Sequence, residues 1–289
     1  MTASKIDKLE EPRLRRTLTL WDLVFYGIIV IQPTAPMPLF GVVSQEARGH
    51  VVTAILIALV AMSLTAVSYG RMARVYPSAG SAYAYVRGEF GMFTGYLTGW
   101  GIVLDYLLNP LICTIWCSKA AANLLPIPFP IWAMFFALLF TLLNLRGVQS
   151  SAATNRWMAI VMFGVVAYLL IAVVRYLIGL APFGAGFFTK PFYDPATFSL
   201  PAVFTGTSIA ALTYIGFDSI STLSEEVVDP AKNILRATVL TCLATGLLAA
   251  IEVYAGQLVW PDFRHYPDVD TAYSFVAGRA GGLVLFHIV

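Results

Sequence analysis

The sequence predicts an all-α polytopic membrane protein. Of its 289 residues, 58% are hydrophobic and only 12% carry a charge, whereas an ordinary soluble domain carries about 25% charged residues. So few polar side chains cannot cover the surface of a soluble globule. The net charge of +2 leaves no electrostatic footprint for nucleic acid, which we exclude as a partner. The lipid bilayer is the expected surrounding.

Apolar segments long enough to cross a bilayer recur along the chain, since a helical span needs roughly 20 mostly apolar residues. The connections are short, so no soluble domain is expected. Seven such segments are Leu20–Val43, Val51–Gly70, Gly91–Asn123, Ile127–Leu145, Trp157–Leu180, Leu200–Leu223 and Ala237–Trp260. An eighth begins near Thr271 and stops inside an apolar stretch at Val289. We therefore expect a fragment of a longer bundle.

The basic residues orient these spans, because Lys and Arg are enriched in cytoplasmic loops. The N-terminal segment, residues 1–19, is rich in them, and only a few flank the opposite ends of the spans, at Arg48, Arg175, Lys190 and Arg264. We expect a cytoplasmic N-terminus in the inner (plasma) membrane of the cell, with the first helix left uncleaved. The loop 181–199 then lies outside, as a packed connector rather than a gate.

The first span is broken near residues 32–38. Three prolines lie between Gln32 and Pro38, and each removes a backbone donor and disrupts the helix. In hydrocarbon, the freed carbonyls must face protein, water or a ligand. The carbonyls in question belong to Ile28, Ile29, Gln32 and Thr34. We expect an unwound stretch that lines a cavity, with a simple proline kink as the alternative.

The sixth span is broken near residues 214–218. Gly216 weakens the helix there and allows close approach of another backbone. Asp218 places a carboxylate within the span, which indicates function by default. The alternative is that Asp218 caps the second half of the helix. Glu225 and Glu226 close this span on the cytoplasmic side, either as a solvated helix end or as an inner gate.

The positions of the two breaks suggest an internal repeat. They fall in the first and sixth spans, so a repeat of five helices would be inverted. Interrupted helices at corresponding positions indicate a binding site near the middle of the bilayer. We therefore expect residues 20–180 to form the first repeat and residues 200–289 to form part of the second.

Other polar residues lie within apolar segments. Asp105, in the third span, either recognises a cation, carries a proton or makes a structural hydrogen bond, and Asn109 follows on the same helix face. Lys119 and Glu252 lie near outer helix ends, where we expect snorkelling or, for Glu252, hydrogen bonding. No metal-ligand spacing or nucleophile motif is present in the sequence, so we expect no bound metal, no cofactor and no enzyme activity.

Two motifs resemble the amino acid–polyamine–organocation (APC) transporters. Tyr76–Tyr85, which reads YPSAGSAYAY, is similar to the Pro-x-Ala-Gly-[GS]-x-Tyr-x-Tyr motif of that superfamily. Gly216-Phe217-Asp218, followed by Ser224-Glu225-Glu226, is similar to its sixth-helix signature. Shorter stretches such as Leu104–Leu107 resemble the bacterial putrescine importer branch. The resemblance implies a LeuT-like five-plus-five inverted-repeat fold, here incomplete, with seven spans and part of an eighth.

The resemblance also implies a secondary active transporter that imports a small organic amine, such as putrescine or another polyamine, by alternating access. Proline has no N–H, so the first break offers mostly acceptors. Together with Asp105 and Asp218, the first break therefore favours a cationic substrate. Transport is expected to be coupled to H⁺ or Na⁺. The expected substrate-binding residues are Gln32, Pro33, Thr34, Ala35, Pro36, Asp105, Tyr106, Tyr214, Gly216, Phe217 and Asp218. Asp218, Glu225 and Glu226 are expected in coupling or gating. An amino-acid permease of the same fold, or an inactive fragment that needs further helices, are the alternatives.

Overall fold

A computed structural model describes residues 16–145 and 152–289. Within these ranges the regular elements are helical, apart from an isolated parallel bridge between Leu18 and Val227. The expected all-α class is therefore confirmed. The helices are α1 Leu20–Ile31, α2 Phe40–Glu46, α3 Val51–Val75, α4 Ser81–Phe90, α5 Met92–Leu124, α6 Phe129–Leu145, α7 Ala152–Leu180, α8 Leu200–Ala210, α9 Ser219–Thr222, α10 Pro230–Val259 and α11 Ala272–Ile288.

Five helical stretches in the described ranges are long and apolar enough to cross a membrane: α3, α5, most of α7, α8 to α9 taken together, and α10. α1, α11 and most of α6 are shorter apolar helices, and they coincide with the remaining predicted spans. The number of membrane crossings therefore stays a prediction. Several boundaries also differ from the apolar windows: α3 continues to Val75 and α10 begins already at Pro230, because polar residues extend a helix beyond its apolar part.

The start of α1 shows why a polar residue lies in an apolar stretch. The backbone N–H and the hydroxyl of Thr19 both donate to the Asp22 carboxylate, at 2.9 and 2.7 Å. This is a capping box, which satisfies donors that the helix itself leaves free. Pro201 and Pro230 occupy the first turns of α8 and α10, where a missing N–H costs nothing.

Helix α10 is the centre of the bundle and packs against α1, α3, α7 and α11. Small and hydroxyl residues let the backbones approach closely: a Cβ on Gly70 of α3 would meet the Leu235 side chain at 2.5 Å. The Thr238 hydroxyl donates to the Ala66 carbonyl of α3 at 3.3 Å. Helix α5 differs, because it packs on α4 and α6 and leaves most of its surface exposed.

The loop 181–199 is tied to the bundle by hydrogen bonds. The buried His50 ring accepts the backbone N–H of Asp194 through Nε2 at 3.0 Å. The Thr53 hydroxyl donates to the Phe192 carbonyl at 2.6 Å. His50 is thus engaged in a structural contact, which explains why a histidine is buried at the start of α3.

Candidate functional site

The first interruption separates α1 from α2. Helix α1 ends at Ile31, α2 begins at Phe40, and turns fill the segment between them. Gln32 adopts a positive φ of 70°, a conformation that non-glycine residues seldom adopt. The chain therefore leaves the helical path directly before the first of the three prolines.

Most of the carbonyls that were expected to be free at this interruption are satisfied by the chain itself. The backbone N–H groups of Gln32, Ala35 and Met37 donate to the carbonyls of Ile28, Gln32 and Thr34, at 3.0, 3.1 and 3.1 Å respectively. Three of the four carbonyls therefore face protein, which corrects the expectation that the first break offers them to a cation. Ile29 differs, because its α-helical donor would be Pro33, which has no N–H.

The second interruption lies between α8 and α9. Helix α8 ends at Ala210, a single 3₁₀ turn covers Ala211–Tyr214, and α9 begins at Ser219. Gly216 has a φ of 107°, and a Cβ built on it would lie 2.8 Å from Cγ1 of Val30 in α1. Glycine is required here twice, by the backbone conformation and by the direct contact between the two interrupted helices.

A cavity of about 130 Å³ lies where the two interruptions meet helix α5. Its wall is mostly apolar, with the amide groups of Gln32 and Asn109 and the hydroxyl of Thr34 as polar exceptions. The lining residues are Val30, Ile31, Gln32, Thr34, Ala35, Pro38, Leu39, Asn109, Ile112, Cys113, Trp116, Leu212 and Ile215. An apolar wall with a few polar groups is typical of a small-molecule site.

The structure brings some of the expected residues to this cavity and not others. Gln32, Thr34 and Ala35 line it, whereas Pro33 and Pro36 do not. Asn109 and Trp116 of α5 are additional lining residues. The sequence signal for Asn109 was its position one helical turn after Asp105, while nothing in the sequence distinguished Trp116 from a residue that faces lipid.

Tyr214 and Phe217 serve the packing of the bundle rather than this cavity. Tyr214 is fully buried, and its hydroxyl donates to the Ile55 carbonyl of α3 at 3.1 Å. Phe217 is buried edge-on against the ring of Tyr69, with 5.4 Å between ring centroids. The sixth-helix interruption instead presents Leu212 and Ile215 to the cavity, because the 3₁₀ turn changes which side chains face α5.

A second group of polar residues lies beside the cavity. The carboxylates of Asp105 and Asp218 lie within range of Coulombic interaction with each other and with the hydroxyls of Tyr69 and Tyr106. Asp218 is half-buried, whereas Asp105 and Tyr106 are exposed. In the part of the chain that the structure describes, neither carboxylate forms an ion pair. We call these four residues the acidic cluster.

Helix α5 connects the acidic cluster with the cavity. Asp105 and Asn109 are four residues apart, so they lie on one face at about 6 Å along the axis. Asn109 lines the cavity, as do Cys113 and Trp116 further along the same helix. Negative charge and a polar cavity therefore follow each other along one side of α5.

The cavity is separated from a second one on the side expected to be external. This second cavity, of about 190 Å³, shares Pro38 and Trp116 with the first. Its rim contains Asp270, which forms an ion pair with Lys119 of α5. The expectation that Lys119 snorkels is therefore replaced by a specific partner, and Trp116 lies between the two cavities.

Glu225 and Glu226 lie outside the set of residues that line the cavity. The Glu225 carboxylate accepts the backbone N–H of Ala79 at 3.1 Å. The hydroxyls of Ser81 and Ser221 share a buried hydrogen bond of 2.8 Å. The Tyr76–Tyr85 motif, which covers the connection from α3 and the first residues of α4, is thus fastened to the end of the interrupted sixth helix.

Five apolar stretches long enough to cross a membrane, together with two interrupted helices around a common cavity, indicate a multi-pass α-helical membrane protein. Residues 23–286 match the family model described as "Amino acid permease". The chain therefore belongs to the amino acid permease family of the APC superfamily.

Three curated relatives illustrate the range of this family. The chain is 37% identical to the "Low-affinity putrescine importer PlaP" of Escherichia coli K12, over 92% of this chain and 60% of that protein. It is 26% identical to "Cationic amino acid transporter 1" of Arabidopsis thaliana, over 91% and 46%. It is 25% identical to the "Branched-chain amino acid permease BcaP" of Bacillus subtilis, over 94% and 60%. The chain thus spans about 60% or less of the length of each of these relatives.

Proposed function

We propose that this permease imports a small organic amine, such as putrescine, by secondary active transport with alternating access. The fold that we propose for the whole protein is the five-plus-five inverted repeat, placed in the inner membrane with a cytoplasmic N-terminus. The two interrupted helices of this chain would begin the two repeats. The 37% identity to a putrescine importer supports this function.

The observation that carries the proposal is the acidic cluster. Two carboxylates within Coulombic range of each other repel when both are ionised, and a cation between them removes that repulsion. Aromatic rings of Tyr69 and Tyr106 in the same cluster add cation–π attraction, worth about 0.5–2 kcal/mol each. A protonated amine meets both requirements, because it is a positive charge on an apolar body.

The distance between the cluster and the cavity suits a short diamine. Asp105 and Asn109 are one helical turn apart, about 6 Å along the helix axis. One ammonium group would lie between Asp105 and Asp218. The other would reach the amide oxygens of Asn109 and Gln32 and the hydroxyl of Thr34, while the methylene chain packs on Ile112 and Ile215.

An α-amino acid of the same size is the second candidate, and the family membership supports it. A substrate carboxylate would need free backbone N–H groups at the interruptions. Pro33 and Pro36 have none, and the N–H groups of Ala35 and Met37 already donate within the first interruption. This difference favours an amine without a carboxylate.

The two candidates are separated by competition for uptake. The full-length protein is produced in cells that lack their own putrescine importers, and labelled putrescine uptake is measured with unlabelled diamines, cationic amino acids or branched-chain amino acids as competitors. We expect diamines to compete and amino acids to compete weakly or not at all. Competition by amino acids with an equal or lower inhibition constant would contradict the proposal and favour the amino-acid permease.

A further inference from the structure

Glu252, in the last third of α10, is the most deeply buried carboxyl group of the described residues. Its side chain has no exposed surface, and neither carboxyl oxygen has a hydrogen-bond partner among the residues that the structure describes. This corrects the expectation that Glu252 snorkels or is hydrogen-bonded. Gln257, five residues further along the same helix, is bonded to the Ser44 hydroxyl and to the Pro261 carbonyl, at 3.0 and 3.2 Å. Burial in α10 therefore does not by itself leave a polar group unpaired.

Tyr273 is the titratable neighbour of Glu252 that the structure shows, and no counter-charge pairs with the carboxyl in the described part of the chain. Tyr273 of α11 is buried, and its hydroxyl donates to the backbone carbonyl of Glu252 at 2.7 Å. The elements packed on α10 are α1, α3, α7, α9, α11 and the 3₁₀ turn, and among the described residues none of their charged side chains forms a hydrogen bond or ion pair with the Glu252 carboxyl. The ion pairs found in the described ranges all involve other residues.

A buried carboxyl group without a partner is accommodated best in its protonated form. An ionised carboxylate without a partner in a low-dielectric interior is strongly unfavourable. A protonated carboxyl is neutral, so it avoids the cost of an unpaired buried charge and keeps only the smaller cost of an unpaired polar group. In the arrangement seen here, the carboxyl of Glu252 is therefore suited to hold a proton.

The surroundings of Glu252 connect it with the interrupted first helix. Tyr273 contacts the ring of Phe40 edge-on, with 5.1 Å between centroids. Phe40 is the first residue of α2, directly after the interruption that lines the cavity. Ser44 of α2 holds Gln257 of α10. A change in the hydration or charge of Glu252 would thus act on the helix half whose position shapes the candidate substrate cavity.

We propose that Glu252 is a proton-binding site that couples transport to the proton gradient. The proton occupies Glu252 in the packed arrangement of α2, α10 and α11. It leaves when movement of these helices admits water, and the carboxylate then persists only in the hydrated arrangement. This inference rests on the proposed transport function and identifies H⁺, rather than Na⁺, as the coupling ion.

The first test reads the proton directly and needs no substrate. Infrared spectra of the purified full-length protein are recorded at neutral pH for the native protein, for Glu252→Gln and for Glu46→Gln, which alters an exposed glutamate at the end of α2. We expect a carboxylic acid C=O band that is absent in Glu252→Gln and retained in Glu46→Gln. If Glu252→Gln does not fold, Glu252→Asp is used in its place, and we then expect the band to shift in frequency. A native protein without such a band would overturn the proposal.

The second test separates coupling from transport. In proteoliposomes, putrescine accumulation driven by a pH gradient is compared with exchange of labelled for unlabelled putrescine without a gradient. We expect Glu252→Gln to lower gradient-driven accumulation about tenfold or more, since its amide cannot release a proton. Exchange persists, and Glu46→Gln behaves as the native protein. Gradient-driven accumulation by Glu252→Gln at the native level would overturn the proton site. Absence of exchange in the native protein would instead refute amine transport, and the infrared test would then decide on the proton site.

Discussion

The two interrupted helices break in different ways and contribute differently to the candidate site. In the first, prolines remove donors between Gln32 and Pro38, and polar side chains of the interruption reach the cavity. In the second, Gly216 provides the turn with a φ of 107°, and its aromatic neighbours point into the core. The first interruption thus supplies chemical groups, while the second supplies the close approach and the carboxylate of Asp218. The difference teaches that a break alone does not identify which side chains meet a ligand.

The sharpest test of this comparison is Gly216→Leu. A side chain at this positive φ costs roughly 1–2 kcal/mol, and its Cβ would lie 2.8 Å from Val30, so the two interruptions must move apart. We expect putrescine uptake to fall to background while the protein still reaches the membrane. Gly164→Leu is the control, because nothing lies within 4 Å of a Cβ at that position. Normal uptake by Gly216→Leu would show that the close approach is not needed.

Asp105→Asn tests whether α5 contributes charge to the site. Asp105 is exposed, whereas Asp218 is half-buried. We expect the apparent KM for putrescine to rise about tenfold, as for loss of a hydrogen bond to a charged group worth about 1.5 kcal/mol. Asp262→Asn is the control: Asp262 lies in a loop, where the hydrogen bond with His265 lowers the pKa of its carboxyl. An unaltered KM in Asp105→Asn would place the amine elsewhere.

Asn109→Ala examines the far end of the proposed diamine site. It removes one neutral hydrogen-bond partner from the cavity and enlarges the space, so we expect a loss of about 1 kcal/mol in putrescine binding. Monoamines of similar length, which have no second ammonium group, should be affected less. Calorimetric titration of the purified full-length protein measures the binding of putrescine and of the monoamines. Equal losses for the diamine and the monoamine would argue against a two-ended site.

Tyr214→Phe should have the smallest effect on the ligand. The Tyr214 hydroxyl donates to the Ile55 carbonyl at 3.1 Å inside the core, and the residue does not line the cavity. We expect a loss of about 1 kcal/mol in stability, seen as a lower Tm, with putrescine affinity within twofold of the native value, a difference of about 0.4 kcal/mol. A large loss of affinity at an unchanged Tm would return Tyr214 to the substrate site.

The sequence predicts those features that depend on local chemistry. Three prolines within six residues cannot continue a regular helix, and a carboxylate such as Asp218 in an apolar segment indicates a special environment. The orientation of Tyr214 could not be predicted, because it depends on the 3₁₀ turn and on a carbonyl of α3. The burial of Glu252 was also missed, since a residue near the end of an apolar segment is exposed or buried according to which helices pack around it.

The carbonyls of the first interruption give a further lesson. Proline removes donors, so acceptors were expected to remain free for a substrate. The chain forms short turns that bring the N–H groups of Ala35 and Met37 to these carbonyls instead. In the site that we propose, recognition of a cation would therefore depend more on the carboxylates of Asp105 and Asp218 than on the backbone.

The most direct test is therefore uptake of labelled putrescine by the full-length protein and its Asp218→Asn variant, with Asp262→Asn as the matched control. Membrane levels of the three proteins are measured in parallel. We predict saturable uptake by the native protein and the control, and at least a tenfold lower kcat/KM for Asp218→Asn, equivalent to about 1.4 kcal/mol. Saturable uptake that Asp218→Asn leaves unaltered, or no putrescine uptake by the native protein at normal membrane levels, would contradict an amine site at Asp218.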